Sequence, residues 1–244
     1  MKKKLGLILF ALGFLGVLTL LTADFPMPDE FADLPPAVVK LIMLINPTFM
    51  LAIAVLVGTL LHDKVNLTVP VITSLLKRES AQAIFVQQLK FGISLGLLVG
   101  IVVVLIAWVF NAIIPHELEA LDSGLEITLL ARFGYGGITE ELLLRFGAMT
   151  FIVWIASKFA KKLNSPVYWI GIAVSAVLFA VAHFPVVFAT IPAPSFTLLT
   201  YILIGNSVGG LVFGWLYWKK GLEAACIAHI FAHVAMVLGG LLQG

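Results

Sequence analysis

The chain has 244 residues, 61% of them hydrophobic and 11% charged, with a net charge of +2 and a mean hydropathy of +1.11. A soluble domain is roughly 45–50% apolar and about 25% charged, so this chain holds more apolar side chain than a water-facing domain can hide, and its solvent is lipid. Disorder, nucleic-acid binding and a disulfide-stapled secreted fold are excluded; the lone Cys226 has no internal partner.

A lipid-crossing helix needs roughly 20 mainly apolar residues. Seven stretches qualify: 5–22, 38–61, 83–113, 128–156, 166–185, 197–218 and 222–242. The fold class is therefore all-α, a polytopic membrane helix bundle of seven or eight transmembrane helices. The basic start and apolar run of 1–22 also suit a signal peptide, but the run is long and Leu21 fits a cleavage site poorly, so an uncleaved first helix is expected. The run 83–113 is long for one span and is expected to tilt or to continue beyond the bilayer.

The charges orient these helices. Lys2, Lys3 and Lys4 precede span one, Lys64, Lys77 and Arg78 follow span two, Lys158, Lys161 and Lys162 follow span four, and Lys219 and Lys220 follow span six. The opposite loops carry Asp24, Asp29, Glu30 and Asp33, then Glu117, Glu119, Asp122 and Glu126. Lys and Arg collect on the cytoplasmic side, which places the N-terminus inside and the C-terminus outside. Lys40 and Arg132 are mild exceptions. Trp154, Tyr168, Trp169, Trp215, Tyr217 and Trp218 fall at the same cytoplasmic interface and read as anchors. Small residues four apart let helices approach closely, so Gly92, Gly96 and Gly100, the pair Gly205 and Gly209, and the pair Gly210 and Gly214 read as packing stripes. The polar stretch 62–82 suits either a surface helix or a plain connector.

Charged side chains inside the hydrocarbon cost roughly 2.5–3.5 kcal/mol each on insertion scales, so each asks for a reason. Span four contains Glu140, Glu141 and Arg145, span five contains His183, and span seven contains His229 and His233. At roughly 1.5 Å per residue, Glu140 and His183 each lie about 21 Å above the inner interface, His229 about 15 Å and His233 about 21 Å. Tilt absorbs such differences, so all four can share one layer. Glu141 and Arg145, four apart, can pair on one helix face, which leaves Glu140 without a partner on its own helix and suits it as a general base or acid. A histidine beside it could hold the same water. His229 and His233 also share a face and could stabilise an oxyanion, or with His183 and Glu140 could grip zinc. The bland reading is that buried histidines are satisfied core residues and that the Glu141–Arg145 pair is structural; clustering at one depth favours the chemical one.

Glu140-Glu141-x-x-x-Arg145, then Phe179-x-x-x-His183, then His229-x-x-x-His233 resembles the CAAX protease and bacteriocin-processing family, also called the Abi family, which includes the Ras-converting CAAX endopeptidases. Asn206, Gly210, Gly214 and Gly221-Leu222 resemble that family's run before its third motif. The resemblance covers residues 130–240 and implies an intramembrane glutamate-type endopeptidase. On it, Glu140 and His183 activate water, His229 serves the oxyanion, and Glu141, Arg145 and Phe179 support them, with Arg145 a candidate ligand for a substrate carboxylate. His233 stands where CAAX endopeptidases of this type commonly carry asparagine; it can still donate to an oxyanion, and it strengthens the zinc alternative.

The expectation is thus a membrane endopeptidase with catalytic Glu140, His183, His229 and His233. Residues 1–82 form N-terminal helices and a connector, and 83–244 the catalytic bundle. No cofactor is expected, with zinc on those four residues as the alternative. The substrate is a membrane-associated peptide or protein, lipidated or not, entering a cavity open to the cytoplasm or laterally to lipid, in a multi-pass protein of the cell membrane. Rival readings are a proton-coupled transporter or relay, which also uses intramembrane Glu and His, a non-catalytic bacteriocin-immunity protein, and a cysteine protease built on Glu223, Cys226 and His229.

Overall fold

The computed structural model describes residues 1–26, 31 and 33–241. Asp29 and Glu30 of the acidic loop, and residue 242 at the expected end of span seven, lie outside the described residues. The described residues form seven helices long and apolar enough to cross a membrane: Lys2–Thr22, Pro36–Val65, Gln82–Asn111, Leu129–Ala160, Ser165–Thr190, Phe196–Lys219 and Leu222–Leu241. The protein is an all-helical, multi-pass integral membrane bundle. Among the described residues the nearest thing to a sheet is one isolated bridge, Asp24 to Glu126.

The chain's prolines explain where two spans are not straight. A proline ring collides with the carbonyl four residues earlier. Pro47 therefore ends the first piece of span two, Pro36–Met43, before a second helix runs from Ile45 to Leu61. Pro185 likewise stops the helix Ser165–Val181, and a short helix, Phe184–Thr190, restarts beyond it. His183 lies inside span five as expected, at that break, as the residue before the new helix.

Close backbone approach assembles the bundle. On span three, Gly92, Gly96 and Gly100 face Ile227, Ala228 and Ala232 of span seven, where a methyl would meet the partner at once. A mid-helix glycine costs roughly 0.5–1 kcal/mol against alanine, which the dense contact offsets. Gly210 lies on Ala176 and Gly214 on Ile172, joining spans six and five as expected. Gly205 departs from the expectation: nothing lies within 4 Å of its missing methyl, so it opens onto space and is no packing residue. Span one meets span four through Gly16, set against Gly134 and Thr139, and the Thr139 hydroxyl donates to the Gly13 carbonyl at 2.8 Å.

The lysine-bearing end is solidly filled. Phe146, Met149, Val153, Leu216 and Tyr217 are all 0% exposed. Two of the six supposed interfacial anchors belong to this core: the Tyr217 hydroxyl bonds Thr150 at 3.0 Å, and the Tyr168 hydroxyl donates to the Val65 carbonyl at 2.9 Å. Each ring brings a hydroxyl that finds a partner between helices, so burial costs it nothing unpaired. Trp218 remains at the rim, with the Lys219 ammonium 3.4 Å from its ring centroid. The 62–82 stretch is a connector carrying a short helix, Pro70–Leu76, tied to the start of span seven by Leu222 N–H donating to Thr68 at 3.0 Å.

At the acid-bearing end the helix Pro115–Ser123 packs on Phe184–Thr190 around Val187, Leu198 and Ile202. Glu117 accepts from the Ser195 N–H at 2.8 Å and its hydroxyl at 2.6 Å. Lys40 reaches across to Asp24 at 2.7 Å.

Candidate active site

Span four does not wind as an ordinary helix. Arg132–Glu140 and Leu142–Met149 are π-helical, with hydrogen bonds reaching five residues rather than four. Such wide turns are rare and gather at functional sites. The local sequence Gly134-Tyr135-Gly136-Gly137 permits it: three missing side chains let Thr19, His233 and Ile230 press onto the widened backbone. The depth estimate from sequence assumed uniform α geometry, so its ångström values do not transfer to this span.

Glu141 and Arg145 are both wholly buried, and Arg145 Nε lies 3.3 Å from Glu141 Oε2. The contact is ionic rather than a well-aligned hydrogen bond, since Nε, Nη1 and Nη2 all lack a hydrogen-bond partner. Aromatic faces complete the guanidinium's surroundings, with Phe179 at 5.2 Å and Phe213 at 6.0 Å from its carbon. The pairing expected from the four-residue spacing is present.

His229 stands between the two glutamates. Its Nδ1 lies 3.0 Å from Glu141 Oε1, and its Nε2 lies 3.9 Å from Glu140 Oε2. A carboxylate can only accept, so Nδ1 carries the proton and Nε2 is the atom turned toward Glu140. The second distance is too long for a hydrogen bond but short enough for strong electrostatic coupling. The ring is wedged by Phe213, stacked at 4.8 Å, by the Phe179 edge at 5.7 Å and by His233, stacked at 4.9 Å. Sequence spacing foresaw the His229–His233 neighbourhood; the clamp by Glu141, 88 residues away in the chain, it did not.

His183 Nδ1 lies 2.8 Å from the Phe179 carbonyl, which likewise accepts only. In the neutral ring this leaves the Nε2 lone pair available to a water. The Phe179 ring meets His183 edge-on at 4.9 Å, so one phenyl group positions both His183 and His229.

Glu140, His183, His229, His233 and Phe179 line one cavity of about 760 Å³. Glu141 and Arg145 stand behind its wall. Six further polar or charged residues line it that the catalytic expectation passed over: Asp24, Lys40, Arg132, Tyr135, Tyr201 and Asn206. Tyr135 was findable only with the π winding in hand, because five residues then close one turn and bring it onto the face of Glu140. Asn206 was noted for resemblance; its amide donates to the Ile202 carbonyl at 2.9 Å.

The cavity lies off-centre in the bundle. Its lining extends to Asp24, Phe25, Pro26, Pro36 and Lys40, all at the acid-bearing end. Among the described residues, none of 1–19, 45–98, 145–178 or 214–228 lines it. It therefore does not open toward the lysine loops, because the filled core occupies that half.

The cysteine-protease arrangement does not form. Glu223 is spent on the connector, accepting from Val71 N–H at 2.9 Å and Ile72 N–H at 3.0 Å, where it caps the short helix Pro70–Leu76. Among the described residues, no group of three or more His, Cys, Asp or Glu side chains is arranged to hold a metal ion.

Residues 123–235, which contain every residue of this site, match the family model described as Type II CAAX prenyl endopeptidase Rce1-like. No curated protein and no solved structure matches the chain.

Proposed function

We propose that this chain, a member of the CAAX protease family through its Rce1-like residues 123–235 and so a membrane protease, is a glutamate-type endopeptidase that cleaves a peptide bond of a membrane-associated substrate. What supports the reading above all is that Glu140, His183 and His229 face one apolar-walled cavity. In it Glu140 removes a proton from water while the His183 lone pair accepts the water's other hydrogen, aiming the oxygen at the carbonyl. As the tetrahedral oxyanion forms, His229 Nε2–H and His233 donate to it. Glu141, bonded at Nδ1, stabilises the imidazolium that such a donor requires, and Arg145 holds Glu141 in turn. Glu140 then returns its proton to the leaving amine, so the group cycles without a cofactor.

The bundle of 83–244 carries this chemistry, with 1–82 buttressing it through the Gly13–Thr139 contact, and the N-terminus lies in the cytoplasm. Zinc on Glu140, His183, His229 and His233 is the alternative source of activated water. The decisive experiment compares membrane-protein termini by mass spectrometry in cells expressing the wild type, Glu140→Gln, His183→Ala or His229→Ala. New termini should vanish in all three variants, a loss on the order of 10²–10⁴ in rate, with unchanged melting in detergent. Full processing by Glu140→Gln sinks the glutamate mechanism and leaves a relay or immunity role. Sensitivity of the wild type to a chelator selects zinc.

A further inference from the structure

We propose that Tyr135 is a further catalytic residue: its hydroxyl donates a hydrogen bond to the scissile carbonyl oxygen and holds it as negative charge collects there. The inference rests on the endopeptidase reading and deepens it, adding to the two histidines a donor that acts while neutral.

The first support is position. Tyr135 stands five residues before Glu140 in the π-helical stretch Arg132–Glu140. In an α-helix, at about 100° per residue, five steps leave two side chains about 140° apart. Where the hydrogen bonds reach five residues, the same two side chains come onto adjoining turns of one face. Both line the cavity, with His183, His229 and His233. The residue after Tyr135 also lies against an oxyanion donor: a methyl on Gly136 would stand 2.8 Å from His233 Nε2.

The second is how the phenol is held. Its ring is partly buried and packs on the main core, so its direction is set. Its hydroxyl has no hydrogen-bond partner among the described residues, yet it is not one of the sealed, unpaired polar atoms of the bundle. Tyr168 and Tyr217 differ, since their hydroxyls are spent on Val65 and Thr150. A tyrosine seated in a core normally finds its hydroxyl a partner, and for Tyr135 the cavity is where that partner comes from.

The third is the supply of donors. His183 Nδ1–H is spent on the Phe179 carbonyl and His229 Nδ1–H on Glu141. The Asn206 amide is spent on Ile202 and the Lys40 ammonium on Asp24. Arg132 lies at the far end of the wide stretch, its Nε on the Ile127 carbonyl. Tyr201, the other phenol of the cavity, packs on Phe110 in the satellite core around Val187. With Nδ1 protonated, His229 offers only a lone pair at Nε2 until the ring becomes an imidazolium. A phenol donates without being charged first. It keeps its proton throughout, so nothing has to be returned when the carbonyl reforms.

The test removes the hydroxyl and keeps the ring. The probe is a synthetic peptide spanning the cleavage point revealed by comparing termini between wild type and Glu140→Gln. Purified wild type and Tyr135→Phe receive it in proteoliposomes. Tyr135→Phe should lower kcat about 10²-fold, with KM and melting in detergent unchanged, because the hydroxyl bonds nothing in the resting protein. A phosphinate analogue of the same peptide, a tetrahedral anion, should lose affinity by a similar factor. A kcat equal to that of the wild type, a rise in KM alone, or undiminished phosphinate affinity overturns the inference and leaves the protease reading standing. Melting that falls with the hydroxyl reveals a partner within the protein and overturns it as well. If wild type and Glu140→Gln produce the same termini, the protease reading itself falls, and the role of Tyr135 goes with it.

Discussion

The two halves of this bundle are built for different tasks. Below the glutamates, toward the lysines, helices press together on glycine, tyrosine hydroxyls find partners, and side chains such as Phe146 and Met149 are sealed even where span four winds widely. Above them, span two is broken at Leu44, span five is broken at His183, span four winds widely, and a cavity of about 760 Å³ stands between the pieces. The closed half supplies a rigid seat for groups whose own half is too hollow to hold them. Glu141 and Arg145 lie at the boundary: they line no cavity, yet they fix the ring that does.

That boundary is where the comparison breaks most easily. Arg145→Ala leaves the Glu141 charge buried without its cation, and should cost about 3–5 kcal/mol and abolish activity together, read by thermal unfolding in detergent and by product formation. Arg145→Lys should restore part of the stability without restoring full activity, because a point charge cannot hold Glu141 in one orientation as a planar fork does. In the closed half, Gly210→Ala drives a methyl into Ala176 and should destabilise by about 1–3 kcal/mol with the remaining folded fraction fully active.

Smaller effects sharpen the contrast. Glu223→Ala removes the side-chain acceptor from two N–H groups of the connector helix and should cost about 0.5–2 kcal/mol, and Cys226→Ala should leave turnover as it was; loss of activity in either, at equal folded fraction, would return span seven's inner end to the chemistry. Gly205→Ala, whose methyl meets nothing, should stabilise by about 0.4–1 kcal/mol while lowering activity toward bulky substrates, since the methyl projects into the cavity. A destabilised Gly205→Ala would mean that this stretch of span six is packed after all.

Much of this was legible from residue types and spacing. Seven apolar runs give seven spans, and the few polar residues a greasy helix tolerates single out Glu140, His183, His229 and His233 as candidates. Their motif order pointed to the family now matched over 123–235. What escaped reading was whatever depends on contacts distant in sequence or on departures from regular winding. The Glu141–His229 bond joins residues 88 apart, and no local pattern announces it. Tyr168 and Tyr217 have the composition of interfacial anchors and differ from them only in having Val65 and Thr150 within reach. Gly205 and Gly210 look alike in sequence, yet one faces a void and the other a backbone. Pro185, by contrast, did carry the information that span five would break beside His183.

The wide winding of span four has a consequence for how such a site is lost or gained. A hydrogen bond in a π turn reaches one residue further than in the α turn it replaces, so removing a single residue between Arg132 and Thr139 would tighten the first wide stretch toward ordinary register and leave the second, Leu142–Met149, as it is. Everything after the lesion would still face its old neighbours, while Tyr135 and the residues beside it would be turned off the Glu140 face. In this chain a one-codon deletion is therefore a quiet edit for the membrane insertion machinery and a fatal one for the cavity wall; read in reverse, a one-codon insertion in a plain apolar helix is a short evolutionary route toward one.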